Sequence, residues 1–145
     1  AAELAQQAEE LGVADRVIFP GMLSHDQVLE LVAAADLFIM PSIRDPGGNI
    51  DGLPIVVLEA MAAGRTVVAT EVAGMPLAVA DGETGRLVPE KDPAALAAAV
   101  DQLLADDDLR RRMGDAARRR VEEELNWGAV AKLHDRLYQQ AVAAG

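Results

Sequence analysis

At 145 residues, 51% of them hydrophobic, the chain is the size of one ordinary domain and is able to bury a core. A formal net charge of −11 argues against nucleic acid or an anionic membrane surface as a partner, and the absence of cysteine excludes disulfides and thiolate metal sites. There is no apolar run of about 18 residues and no signal peptide, so nothing in the chain spans a membrane or directs export.

In chain order, Leu4, Ala8 and Leu11 recur at helical spacing with Gly12 as the cap, which predicts a helix over residues 2–11. Arg16 to Phe19 reads as a short buried strand ending at the Pro20-Gly21 turn. Ser24-His25-Asp26-Gln27 has the form of a capping box, opening a helix that carries Val28, Leu31, Val32 and Ala35 on one face. His25 in its first turn is read as solvated, and neither it nor His134 is given a role. Leu37 to Met40 is a continuous apolar run of strand length, as expected of a strand buried on both faces in a parallel sheet.

The central stretch runs from Asp45 to Gly64. A loop with Gly47, Gly48 and Gly52 leads to Pro54, which suits a first helical position, and Gly64 suits the residue past the helix end. The predicted helix, Pro54 to about Ala63, is apolar nearly all round and broken by one charge, Glu59. A carboxylate in such surroundings requires a partner. Arg44 or Arg65 could supply it; so could a ligand, because the helix start offers free N–H groups and a positive dipole end suited to phosphate, with Glu59 one turn further on for hydroxyls. Thr66 to Thr70 gives the next strand. Strand, helix and strand make a βαβ unit whose ligands bind at the carboxyl ends, so the loops at 41–53 and 71–76 should face one cleft.

Asp81-Gly82 and Thr84-Gly85 are turns around the extended segment Arg86 to Val88. The rest, residues 91–145, is helical. Asp92 and Pro93 start a helix bearing Leu96, Val100, Leu103 and Leu104, and a second runs from about Asp107 to Leu125 with Met113 and Ala117 inward. Its acidic and basic blocks read as a solvated, mutually screened face. Asn126 caps the last helix, and Trp127, the only tryptophan, reads as a packing anchor.

The central stretch resembles the signature of the large retaining GT-B glycosyltransferase family that includes bacterial mannosyltransferases and sucrose synthases: PS, an acidic glycine-containing loop, GLP, then LEAMAAG. RVIFPG, ADLFIMPS, TVVAT, DGETGRLVPE and NW extend the match over Asp15 to about Tyr138. The resemblance implies an α/β fold, part of the Rossmann-like C-terminal domain of GT-B enzymes, with a parallel sheet of about four strands and a helical C-terminal segment. It implies donor binding for an enzyme that transfers a sugar from a nucleoside diphosphate sugar with retention, in the cytoplasm, with no cofactor and no metal. The family places two acids with seven residues between them in this segment; here they are Asp51, where Glu is usual, and Glu59. By carry-over, Asp51 approaches the donor sugar, Glu59 accepts from the ribose hydroxyls, Gly52, Leu53 and Pro54 line the sugar and phosphates, Gly21 and Met22 flank the base, and Gly74 lies in the loop that approaches the donor. Leu77 stands where the family often has Glu. The acceptor-binding domain and the first strands of the sheet have no counterpart in the sequence, so the chain reads as a fragment that does not turn over alone and has an exposed sheet edge for self-association. A noncatalytic nucleotide-sugar-binding or interaction module and a GT-B nucleotide-sugar epimerase are the alternatives.

Overall fold

The computed structural model describes residues 2–44, 47 and 52–143. Among them three parallel strands form a sheet: β1 (Leu37–Met40), β2 (Thr66–Thr70) and β3 (Gly85–Val88), in that spatial order. Seven α-helices of the described residues surround it: α1 (Ala2–Glu10), α2 (His25–Ala34), α3 (Ile55–Ala62), α4 (Met75–Ala78), α5 (Pro93–Ala105), α6 (Asp107–Glu123) and α7 (Trp127–Ala143). The architecture is α/β, as expected, and none of these helices is long and apolar enough to cross a membrane.

The central strand explains why the sheet forms. β2 reads Thr-Val-Val-Ala-Thr, β-branched at four of five positions, and all five residues are buried. Side chains alternate between faces. Val67 and Ala69 therefore join Val57, Ala60 and Met61 of α3 with Met75, Ala78 and Ala117, whereas Val68 joins Val88, Ala99, Leu103 and Met113 on the other side. Helices thus cover both faces of β2, the arrangement that a parallel sheet requires.

Local signals place most helix starts. The Ser24 hydroxyl accepts the Gln27 N–H while the Gln27 side chain accepts the Ser24 N–H, completing the capping box. Asp92, Asp106 and Asn126 each accept an N–H three residues on. Gly64, with φ at +71°, turns the chain from α3 into β2, a conformation open to glycine at little steric cost.

Five expectations are corrected. Arg16–Phe19 is not a strand: residues 14–16 form a 3₁₀ turn, and the chain beyond it runs out unpaired with Ile18 86% exposed. A strand exists only with a neighbour, and β1 pairs with β2 alone, so the described sheet has three strands rather than about four. β1 is consequently an edge strand, half-buried with Ile39 exposed, and the fully buried strand is β2. Pro54 caps α3 in an extended conformation, ψ 128°, instead of occupying its first turn. Trp127 is 86% exposed and anchors nothing, for α7 buries none of its described side chains.

Candidate donor-binding site

The carboxyl ends of the strands carry the loops that the sequence singles out. After β2 the chain turns through Val72 and Ala73, the latter at φ +52°, to Gly74. There it meets the segment leading into α3: the Gly74 N–H donates to the Gly52 carbonyl at 3.4 Å. A Cβ on Gly74 would fall 2.9 Å from Leu53 Cβ and 3.3 Å from Leu53 Cα. Glycine is what allows the two backbones to come this close. The loops expected to share a cleft are therefore in direct contact, through Gly52, Leu53 and Gly74.

Glu59 lies one turn into α3, its side chain 23% exposed. Neither arginine considered for it is its partner. The Arg65 guanidinium donates to the Ala63 and Ala35 carbonyls at 3.2 and 3.0 Å, and the Arg44 main chain turns to Glu90. Among the described residues, the basic side chain beside Glu59 is the exposed His25, whose Nε2 stands 3.7 Å from Oε1. A first-turn histidine is usually solvated, so composition alone does not mark it. The usable signal is that the capping box fixes His25 as the first helical residue of α2, and α2 packs against α3. Gly21 and Met22 lie just before this helix start, Gly21 at φ +71° and Met22 fully exposed. Pro54 is half-buried at the start of α3. Asp51 lies outside the described residues.

Beside these loops a small apolar cleft of about 180 Å³, lined by Pro41, Ile43, Thr70, Pro89, Pro93 and Leu96, opens at the same edge of the sheet. A larger one, about 280 Å³, opens at the amino end of β2 between Asp36, Arg65, Thr66, Asp107, Arg110 and Asp115. Several of its charges pair within the cleft, with Arg110 at 2.8 Å from Asp107 and 3.6 Å from Asp36. Size therefore does not select the site: ligands of open parallel sheets bind at the carboxyl ends.

The family described as Glycosyl transferases group 1 matches residues 1–120. The chain belongs to that family. It is 38% identical over 139 residues to the D-inositol 3-phosphate glycosyltransferase of Streptomyces coelicolor, covering 96% of this chain and 29% of that protein. Among solved structures, the sucrose-phosphate synthase of Thermosynechococcus elongatus superposes with a TM-score of 0.80 at 35% identity, over 99% of this chain and 35% of that one. HepE of Anabaena, solved in complex with UDP, superposes at 0.79 with 25% identity, over 98% of this chain and 36% of that one. The chain thus spans about three tenths of the length of its curated glycosyltransferase relative. These solved structures carry the GT-B fold, and the sheet and its helices correspond to part of those longer chains.

Proposed function

We propose that this chain forms the donor-binding part of a retaining glycosyltransferase, which moves a sugar from a nucleoside diphosphate sugar to an acceptor. The observation that carries the reading is the contact of Gly52 and Leu53 with Gly74 at the carboxyl edge of the sheet, one helical turn from a half-buried carboxylate. In this reading the backbone N–H groups of Gly52 and Leu53 receive phosphate or sugar oxygens and stabilise the charge that grows on the departing diphosphate. Glu59 accepts from the ribose hydroxyls, Asp51 from a sugar hydroxyl, and Gly21 and Met22 border the base. The reading includes no metal, since fixed N–H dipoles take the part of a counter-charge, and a cytoplasmic setting, with which a cysteine-free chain agrees. The complexes of HepE with UDP and with UDP-glucose support a nucleotide-sugar ligand. The acceptor side is assigned to the remainder of a full-length enzyme, so the 145-residue chain binds donor without turning it over.

Calorimetric titration of the chain with UDP, GDP and ADP tests this. One nucleotide should bind in preference, and Glu59→Ala should weaken it by about 10- to 100-fold, the equivalent of the ~1.5–3 kcal/mol carried by hydrogen bonds to a charged group. Equal affinity in Glu59→Ala would remove the ribose role, and no binding of any of the three would remove the claim that this chain binds donor on its own.

A further inference from the structure

The segment between β1 and α3 is long. Fourteen residues, 41 to 54, separate Met40 from Ile55, whereas such connections commonly take about 2–6. Closing a connection of this length costs more chain entropy than closing a short one, and contacts at its ends help to offset that cost.

Two side chains supply such contacts at the end that leaves β1. Thr70, the last residue of β2 and 4% exposed, donates its hydroxyl to the Ser42 carbonyl at 2.6 Å. Two residues later the Arg44 N–H donates to the Glu90 carboxylate at 2.9 Å. Hydrogen bonds to an ionised acceptor are the stronger kind, and this one joins positions 46 apart in the chain. The backbone on either side of Glu90 is constrained. The residue lies two positions past β3 and just before Lys91, whose φ of +60° sets the turn into α5, while the Glu71 N–H ties the loop after β2 to the Val88 carbonyl at 2.8 Å. At the other end of the segment, Gly74 holds Gly52.

The geometry assigns Glu90 and Thr70 as positioning residues of the donor loop: acting through the backbone at Arg44 and Ser42, they fix where the segment from β1 departs. The assignment rests on reading residues 41–53 as the donor loop. Neither side chain carries a functional signal in the sequence. Glu90 is reached only through the fold, since nothing local connects it to Arg44.

Residue-resolved amide hydrogen exchange on the 145-residue chain decides it. In Glu90→Ala the Arg44 amide should exchange about tenfold faster, while the amides of Val67 and Ala69 in β2 stay as they are. Glu90→Gln keeps an acceptor oxygen and should restore most of the protection. Unchanged exchange at Arg44 in Glu90→Ala overturns the tether, and an equal rise in β2 overturns it too, since Glu90 would then be holding the whole fold. Titration with UDP-glucose gives the second readout, in which Glu90→Ala should bind severalfold more weakly than the parent chain. Faster exchange with undiminished affinity would overturn the positioning role. A parent chain that does not take up UDP-glucose would count against UDP-glucose as its donor and leave the exchange result to decide the tether.

Discussion

Replacing Gly74 by alanine separates the site from the stability of the fold. Its backbone, φ −81°, accepts any residue, so the whole effect comes from the new Cβ. That atom would sit 2.9 Å from Leu53 Cβ and 3.3 Å from both Leu53 Cα and N. Carbon atoms rest at about 3.5–4.0 Å, so the two loops must part by roughly 0.6–1.1 Å. Overpacking in a closed core costs about 1–3 kcal/mol. Leu53 is only half-buried and Gly52 exposed, so the segment can give way, and we expect the low end, about 1 kcal/mol, or roughly 2–4 °C in Tm. The proposed donor site would have no such freedom. Gly52 and Leu53 would move bodily with their N–H groups, and losing one hydrogen bond to a charged ligand group costs about 1.5–3 kcal/mol, on the order of 10- to 100-fold in affinity. Calorimetry with the preferred nucleotide should therefore show at least about tenfold weaker binding in Gly74→Ala, beside a thermal unfolding curve displaced only slightly. Full donor affinity in a folded Gly74→Ala chain would refute the argument that this contact builds the site.

Three further substitutions test the fold that carries it, each by thermal or denaturant unfolding. Gly114→Ala puts a Cβ 2.2 Å from the Gly64 carbonyl oxygen; although alanine normally gains about 1 kcal/mol over glycine in a helix, a net loss of about 2 kcal/mol is expected from the overpacking, and a stabilised variant would contradict the close approach of α6 to the α3–β2 turn. Leu103→Ala removes a fully buried side chain from the cluster around Val68, with an expected loss of about 2–5 kcal/mol. Trp127→Ala should stay within about 0.5 kcal/mol, since the indole is exposed; a large loss would restore it as an anchor.

What the sequence disclosed and what it hid divide along the range of the interactions. Helix starts are local, and Ser24, Gln27, Asp92 and Asn126 all make the bonds that their spacing implies. The βαβ unit around α3 rests on two apolar runs and one helix, again short-range information. Arg16–Phe19 has as good a strand composition as Leu37–Met40, but a strand is a property of a pair, and only the second has a partner. Trp127 is similar: size and rarity favour burial, yet burial depends on what packs against α7. The candidate site shows the same division. Gly52 and Glu59 are marked by turn and helix-start chemistry, whereas Leu53 and Gly74 are candidates only through the family resemblance. His25, Thr70 and Glu90 are marked by neither, because each acquires its meaning from a residue 28 to 46 positions away, or, for His25, from the packing of α2 on α3.

The distribution of burial bears on how the site is assembled. The fully enclosed side chains belong to α3, β2, the segment around α4, α5 and α6, together with Thr84 just before β3. Leu4, Leu11, Ile18 and Met22, which precede β1 in the chain, are exposed instead. The loops bearing Gly52, Leu53 and Gly74 are rooted on the packed side, and Thr70, at the end of β2, holds the segment at Ser42. Leu53 packs against the same core that stabilises the domain, and Gly74 against Leu53. Gly21 and Met22 have no such support, for the segment between the 3₁₀ turn and α2 is exposed along its length except at the half-buried Leu23. Contacts made by Gly52, Leu53 and Gly74 would thus be largely preorganised, at little ordering cost on binding, whereas contacts to the base would have to be ordered by the ligand itself. Nucleotides that differ only in their base should then differ less in affinity for this chain than a nucleotide differs from its nucleoside.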